Sequence, residues 1–360
     1  MRVLVGIAGG TLVVLMLTEI FLAFLLPRRV KRDPRIVRLA FAFGWRPWRR
    51  VARLLPAQSR DTMLGIYGPL GLLINLVLWI GSMMLGYACL QWAGGSHLGV
   101  PHGSVDFGND LYFSAATMTT DGPSSLAAHT AFARAIQVID AGSGLAVLAI
   151  VIGYLPSLYQ AFSRREATVS QLDARAGSPP SAGRLVLRTT QTGGWAKLGS
   201  YLGEWEQWVA ELMETHLAYP VLGYFRSQHV NQNWLAAMCT VLDACAFTIA
   251  AAPKDSAEPA RFTFAIARHA VVDLTYSYRV QPVGEVNRLP DADLRALLRQ
   301  LREADVHPHV VDNTVAERLR HMRALYEPYV CALTRRLELA LPPWLAPESP
   351  TDNWRNTDWH

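Results

Sequence analysis

The sequence predicts an all-α membrane protein, in which an apolar, basic first half precedes a helical second half. Only 18% of its 360 residues are charged and 51% are hydrophobic, which argues against disorder and against an ordinary soluble enzyme. Residues 1–163 carry 13 basic and 7 acidic residues, whereas residues 164–360 carry 21 and 22. The basic excess therefore lies wholly in the apolar half, which indicates a membrane and excludes a nucleic-acid partner.

Three apolar stretches are long enough to span a hydrocarbon core of about 30 Å, which takes about 20 residues. They run over residues 3–26, 63–92 and 141–163. The first is too long for the core of a signal peptide, and its basic cluster follows it, so we expect a retained transmembrane helix over residues 1–26. Glu19 interrupts this helix and is costly in lipid, so it is expected to face protein or water.

The basic loop between the first two spans sets the predicted orientation. Residues 27–61 contain 11 Lys or Arg and two Asp, whereas residues 93–133 contain no Lys or Arg. The positive-inside bias then places the loop and the C-terminal half in the cytoplasm and the N-terminus outside, in the cell's inner (plasma) membrane. Within the loop, Ile36, Leu39 and Phe43 recur at helical spacing. This pattern predicts an interfacial helix that lies on membrane lipid.

The segment between the second and third spans predicts a re-entrant loop. A short helix over residues 111–118, which Asn109 or Asp110 can cap, meets a turn that cannot continue it. The ten residues from Asp110 to Thr119 would rise about 15 Å, so a helix that enters from outside ends near the midplane. Non-helical backbone is tolerated there only when it is buried in protein or lines water. The carbonyl end of such a helix also favours a cation, so residues 62–163 are expected to form a pore module.

This module resembles the pore of the potassium-channel superfamily over residues 63–165. Thr120 matches the threonine of the family's filter pattern Thr-x-Gly-Tyr/Leu-Gly-Asp, Gly122 its first glycine and Ser125 its aspartate. Three later segments also resemble bacterial potassium channel family proteins: residues 154–166, 172–180 and 216–222. The resemblance implies a fold of outer helix, pore loop and inner helix, with a monovalent cation (potassium in that family) as the transported ion and no cofactor. It also implies a homotetramer, because one pore loop per chain cannot close a pore.

The filter departs from the family pattern at three positions. Asp121 stands between the threonine and the glycine, Pro123 replaces the aromatic residue and Ser124 replaces the second glycine. Potassium filters coordinate ions through rings of backbone carbonyls, and Pro123 removes an N–H and fixes φ. Two functions therefore stay open. One is a cation channel whose filter comprises Thr119, Thr120, Asp121, Gly122, Pro123, Ser124 and Ser125; the other is a non-conducting, membrane-anchored sensor or scaffold that kept the pore fold.

Other residues of the membrane half are candidates for gating or sensing. Gly142, Gly144 and Gly153 in the third span allow either close helix packing or a bend that gates the pore. Asp140, near the predicted outer mouth, and Glu19 are candidate intramembrane acidic groups for an ion or a proton.

The second half is expected to comprise a linker over residues 164–200, a cytoplasmic helical domain over 201–341 and a C-terminal tail over 342–360. Its clearest break is the stretch 177–181, Gly-Ser-Pro-Pro-Ser. Apolar residues at helical spacing predict core helices in three places. They are Tyr201, Trp205, Trp208 and Leu212; Leu294, Leu297, Leu298 and Leu301; and a long stripe from Val315 through Leu319, Met322, Tyr326, Tyr329 and Leu333 to Leu337.

The second half also carries no catalytic pattern. Residues 234–252 are apolar apart from Asp243, and their Ala, Thr and Cys content favours a buried cytoplasmic helix over a fourth span. No GxGxxG, Walker, GxSxG or HExxH motif occurs, and the four cysteines form no CxxC. We therefore expect neither an enzyme nor a metal site, and the ligand of this domain stays open.

Overall fold

The computed structural model describes residues 1–24, 36–96, 98–99, 106–122, 126–229, 231–284 and 286–346. These residues are helical apart from short connections and one two-residue β pairing. The chain divides into two compact units, residues 1–159 (unit 1) and residues 160–360 (unit 2). The all-α prediction is confirmed.

The described part of unit 1 contains three long helices, two shorter ones and the β pairing. The elements in order are α1 (Arg2–Phe24), α2 (Ile36–Ala52), α3 (Ala57–Ala93), β1 (Leu98–Gly99), α4 (Phe107–Met118), β2 (Ala127–Ala128) and α5 (Ala131–Ala176), which continues into unit 2. By length and composition, α1, α3 and α5 could each cross a membrane, with mean hydropathies of 2.1, 1.9 and 2.0. The prediction of three apolar helices of membrane-spanning length is confirmed.

Small residues allow α1 to pack closely on α3. A Cβ on Gly9 would lie 2.6 Å from the carbonyl oxygen of Gly86, so only glycine fits at this crossing. The helices also share an apolar core that reaches α4 and α5. Its buried members are Val13, Met16, Ile20, Trp79, Met83, Tyr87, Met118 and Val147. Glu19 is half-buried on α1 beside this core.

Large apolar side chains also cover the outside of unit 1. On α3, Leu73, Ile74 and Val77 are 57%, 51% and 69% exposed, and on α5 Val138 and Ile152 are 72% and 63% exposed. Monomeric soluble proteins rarely expose such continuous apolar surface, which suits lipid or further protein instead. The exposed surface of α3 and α5 is therefore compatible with a multi-pass membrane protein.

Helix α2 packs its tryptophans against the start of α3. The ring of the buried Trp45 lies 4.7 Å from the ring of Tyr67, and the indole N–H of Trp48 donates to the carbonyl oxygen of Met63 at 2.9 Å. Phe43 is 64% exposed. The helix predicted in the basic loop is thus present, and its location on a membrane surface stays a prediction.

Unit 2 is a bundle built around α7. After the end of α5 come α6 (Ala182–Ala218), a 3₁₀ helix (Pro220–Tyr224), α7 (Trp234–Ala251), α8 (Lys254–Ser277), α9 (Asp291–Glu303), α10 (Asp312–Ala324) and α11 (Glu327–Leu337). The predicted linker, residues 164–200, is helical except at 177–181 and at a kink where Gly194 adopts φ +68°. Glycine suits this kink because it adopts positive φ without the clash of a Cβ.

Residues of all three predicted stripes are buried in the interior of unit 2, including Val315, Leu319, Tyr326, Leu333 and Leu337 of the third. The predicted residues of α6 and α9 are buried, and 17 of the 18 residues of α7 are buried against α6, α8, α10 and α11. Burial in protein accounts for the apolar composition of α7, although its mean hydropathy of 1.7 would also suit a span. The third stripe is not one helix: α10 ends at Ala324 and α11 begins at Glu327, because Pro328 has no N–H to donate to the carbonyl of Ala324 and its ring would clash with that group.

Candidate functional site

Helix α4 begins at a capping aspartate that precedes the predicted start. The carboxylate of Asp106 accepts from the backbone N–H of Asn109 at 2.9 Å, and α4 starts at Phe107. The predicted cap at Asn109 or Asp110 is therefore wrong. Asp110 lies instead in the first turn, where it is fully buried and its Oδ2 accepts from the Ser96 hydroxyl at 2.6 Å.

The other end of α4 falls at Met118, where the sequence places it. The Thr119 hydroxyl donates back to the carbonyl oxygen of Ala115 at 2.8 Å. Thr120 then takes φ +62° and Gly122 φ +75°, and the Gly122 N–H reaches the carbonyl oxygen of Ala116 at 3.2 Å. Glycine adopts this left-handed conformation freely, whereas a β-branched threonine is strained there by about 1–2 kcal/mol. Strain of this kind is concentrated at functional sites.

The turn after α4 exposes its polar residues. Thr119, Thr120, Asp121 and Gly122 are all exposed in the chain. Pro123, Ser124 and Ser125, the other predicted filter residues, lie outside the described residues. The four described positions therefore offer backbone carbonyls and one carboxylate to a ligand or to further copies of the chain.

Two contacts with α5 fix the position of α4. The Ser114 hydroxyl donates to Oδ2 of Asp140 at 2.8 Å, and both side chains are buried. A Cβ on Gly144 would lie 2.3 Å from the carbonyl oxygen of Met118. Asp140 on α5 therefore holds the buried face of α4 in position through Ser114. Gly144 lets the carbonyl end of α4 approach α5.

The remaining candidate glycines have no such neighbour. A Cβ on Gly142 or on Gly153 would meet nothing within 4 Å among the described residues. Helix α5 runs through both positions without a break. The sequence left two roles open for these glycines, close helix packing or a gating bend. Gly144 allows close packing of α4 on α5, whereas a gating bend at Gly142 or Gly153 stays a prediction.

Two hydrogen bonds between buried polar groups connect α3 to α5 beside this site. The hydroxyl of Ser143 donates to the carbonyl oxygen of Ile139 at 2.8 Å, so Tyr87 donates to Ser143 at 2.6 Å. The side-chain amide of Gln91 donates to the carbonyl oxygen of Ala133 at 3.1 Å. Sequence reasoning missed these side chains, because a single tyrosine or glutamine within an apolar span does not reveal its partner.

The buried face of α4 carries a stripe of polar residues at helical spacing. Asp110, Ser114 and Thr117 lie at i, i+4 and i+7, a signal that could have been read from the sequence. Within the described parts of the chain, Oδ1 of Asp110, Oδ1 of Asp140 and the Thr117 hydroxyl have no hydrogen-bond partner. Buried polar atoms of this kind are commonly satisfied by internal water.

In unit 2, Arg165 joins the end of α5 to the 3₁₀ helix. It is buried and donates to the carbonyl oxygens of Leu222 and Phe225, each at 2.9 Å. Nδ1 of His216 lies 2.8 Å from the carbonyl oxygen of Leu212, which can only accept. Nδ1 therefore carries the proton, and the bare Nε2 accepts from Arg165 at 3.2 Å. This arrangement holds only while His216 is neutral.

Acid should destabilise unit 2 through His216. Burial, and next the charge of Arg165, hold the pKa of His216 well below its usual 6.5. His216 therefore takes up a proton in the unfolded chain at a pH where it stays neutral in the folded chain. The free energy of unfolding is lost as the pH falls below about 6.5, by up to about 1.4 kcal/mol per pH unit.

The variant His216→Gln tests this pH dependence, because glutamine keeps one donor and one acceptor and does not titrate. Unfolding of the full-length protein in detergent between about pH 7 and about pH 5 should cost the wild type about 2 kcal/mol more than the variant. Equal losses in the two proteins would contradict a neutral, buried His216.

A second buried cluster in unit 2 pairs Asp243 with Arg288. The guanidinium donates to Oδ1 and Oδ2 of Asp243 at 3.1 and 3.0 Å, and the Tyr326 hydroxyl donates to the same carboxylate. Burial raises the pKa of Tyr326 well above its usual value, so the hydroxyl stays protonated and donates. Arg288 also lies 3.7 Å from the carboxylate of Glu327. The cluster ties α7 to α11 and to the chain before α9.

The described residues include no group of three or more His, Cys, Asp or Glu side chains that could hold a metal ion. Cys89, Cys239, Cys245 and Cys331 are free thiols. No family model, curated protein or solved structure matched the chain. The function is therefore argued from the site itself.

Proposed function

We propose that the protein is a homotetrameric cation pore, in which the turns over residues 119–125 of four copies line the ion path. The observation that carries this proposal is the exposed turn at the carbonyl end of α4, with left-handed residues at Thr120 and Gly122. Between three helices of membrane-spanning length, such backbone is tolerated only where it lines water or is covered by protein. Four copies around one axis meet both conditions.

The chemistry of the turn favours a cation. The last carbonyls of a helix carry a partial negative charge, equivalent to about half an elementary charge. The exposed Asp121 carboxylate follows three residues after α4 ends, so four copies would add an acidic ring. Changes in backbone handedness within the turn can direct successive carbonyl oxygens towards one axis, where they replace water around a monovalent cation, potassium above all.

The membrane arrangement belongs to the same proposal. The exposed apolar side chains of α1, α3 and α5 would contact lipid or neighbouring copies. The basic loop over residues 27–61 favours a cytoplasmic location for itself and for unit 2, with the N-terminus outside and the turn nearer the outer face of the plasma membrane. Unit 2 would then assemble or gate the pore.

Replacing Asp121 by asparagine tests the acidic ring. In liposomes that hold the purified protein, Asp121→Asn should reduce cation flux about tenfold at low ionic strength, because the ring concentrates cations at the entrance. The deficit should shrink as salt rises and the screening length falls from about 30 Å to about 10 Å. Glu258→Gln, which removes an exposed charge on α8, serves as the control and should leave the flux unchanged. An Asp121→Asn flux equal to that of the wild type at low salt would contradict the ring.

A further inference from the structure

A groove of about 250 Å³ lies in unit 2 between the end of α5 and α6. Polar residues of α5, from Thr168 to Arg175, line one side. Residues of α6, from Tyr201 to Glu211, line the other. The volume suits a small organic molecule, somewhat below the range of drug-sized pockets.

Three aromatic rings form the wall that α6 contributes. The rings of Tyr201 and Trp205 lie 6.2 Å apart and those of Trp205 and Trp208 lie 5.0 Å apart, and both pairs meet edge to face. Each of the three side chains is more than nine-tenths buried, so their positions are fixed by packing. All three side chains line the groove, and the face of an aromatic ring is electron-rich, which is why aromatic cages bind quaternary ammonium groups.

One of these rings already holds a cation. The guanidinium carbon of Arg175 lies 4.5 Å from the centre of the Tyr201 ring. Arg175 is exposed, so it can leave the ring at little cost in packing. The side chain therefore occupies the place that a cationic ligand would take.

The remaining groups of the groove define the rest of the ligand. Glu204 and Glu211 are exposed at its edge, and with Arg175 they give the groove a net charge of −1. The indole nitrogen of Trp208 is buried and has no hydrogen-bond partner among the described residues. A buried donor without a partner is costly, so it favours a ligand that carries an acceptor oxygen.

We propose that this groove binds a small organic cation with a methylated ammonium group and a nearby hydroxyl or carboxylate oxygen. The ammonium group would replace the Arg175 guanidinium on the aromatic wall, and the oxygen would accept from the indole N–H of Trp208. The carboxylates of Glu204 and Glu211 would balance the charge. Binding needs no ion conduction, so the proposal goes beyond the proposed pore and stands apart from it.

Calorimetry of the full-length protein in detergent tests the proposal, with choline and tetramethylammonium as probes. Both should bind the wild type, and Arg175→Ala should bind both about tenfold more tightly, because a competing cation is gone. Trp208→Phe keeps an aromatic ring and removes the donor. It should weaken choline binding about fivefold more than it weakens tetramethylammonium binding, because only choline carries an oxygen that can accept from the indole N–H. The thermal midpoint of each variant establishes that it is folded.

Three results would overturn the proposal. The first is an absence of choline binding to both the wild type and Arg175→Ala. The second is equal binding of the uncharged choline analogue that has carbon in place of the quaternary nitrogen, which would make the groove merely apolar. The third is an unchanged choline affinity in Arg175→Ala.

Discussion

Replacing Gly144 by alanine should destabilise the protein by about 1–3 kcal/mol and displace α4. The new methyl carbon would lie 2.3 Å from the carbonyl oxygen of Met118 and 3.0 Å from its carbonyl carbon. Backbone atoms cannot rotate away as a flexible side chain can, so the helix end itself must move. That movement carries the turn at Thr119 and Thr120 with it, and cation flux in liposomes should be lost together with stability.

Gly142 and Gly153 on the same helix supply the matched controls. A Cβ at either position would meet no atom of the described residues within 4 Å. Alanine is a better helix former than glycine by about 1 kcal/mol, so both substitutions should leave the protein as stable or more stable. In detergent, we expect Gly144→Ala to lower the thermal midpoint of unfolding relative to the wild type. The two control substitutions should leave that midpoint unchanged or raise it. A Gly144→Ala protein as stable as Gly142→Ala would contradict the packing of α4 against α5.

Replacing Asp243 by asparagine should cost about 3–5 kcal/mol, the largest loss expected in unit 2. The substitution removes the charge that pairs with Arg288 and places an N–H₂ group among donors from Arg288 and Tyr326. The Asp243 side chain is fully buried, so water cannot restore the lost bonds. Denaturant unfolding of the full-length protein, followed through its helical signal, measures the loss.

An exposed ion pair gives the control for Asp243. Arg320 and Asp291 lie 3.5 Å apart, with side chains 65% and 70% exposed. Arg320→Gln should cost less than about 1 kcal/mol, because solvent screens such pairs. If Asp243→Asn were as mild as Arg320→Gln, the buried pair would not hold α7 to the rest of unit 2.

Local patterns in the sequence were sufficient to predict much of the fold. The end of α4 at Met118 follows from residues that cannot continue a helix, and the burial of Leu294, Leu297, Leu298 and Leu301 follows from their spacing. The break between α10 and α11 was missed, because an unbroken apolar stripe outweighed the signal of Pro328. Local preference and spacing act within a few turns of helix, so they predict elements better than their junctions.

Contacts between distant residues could not be predicted in the same way. Ser114 and Asp140 are 26 residues apart, and Arg165 and His216 are 51 apart. Neither pair lies at a spacing that one helix imposes, so only the packing of α4 on α5, or of α6 beside α5, brings them together. The filter candidates were found because a threonine and glycine turn after a short helix is a local signal, whereas the groups that support it are not.

Flux of cations through the purified protein in liposomes tests the central proposal most directly. The protein, first established as a tetramer by cross-linking in native membranes, is incorporated into vesicles and given a gradient of potassium, of sodium or of neither. We expect flux that requires a monovalent cation and is largest for potassium. Tetramers that pass no cation at any voltage or pH would contradict the pore and favour the non-conducting sensor or scaffold.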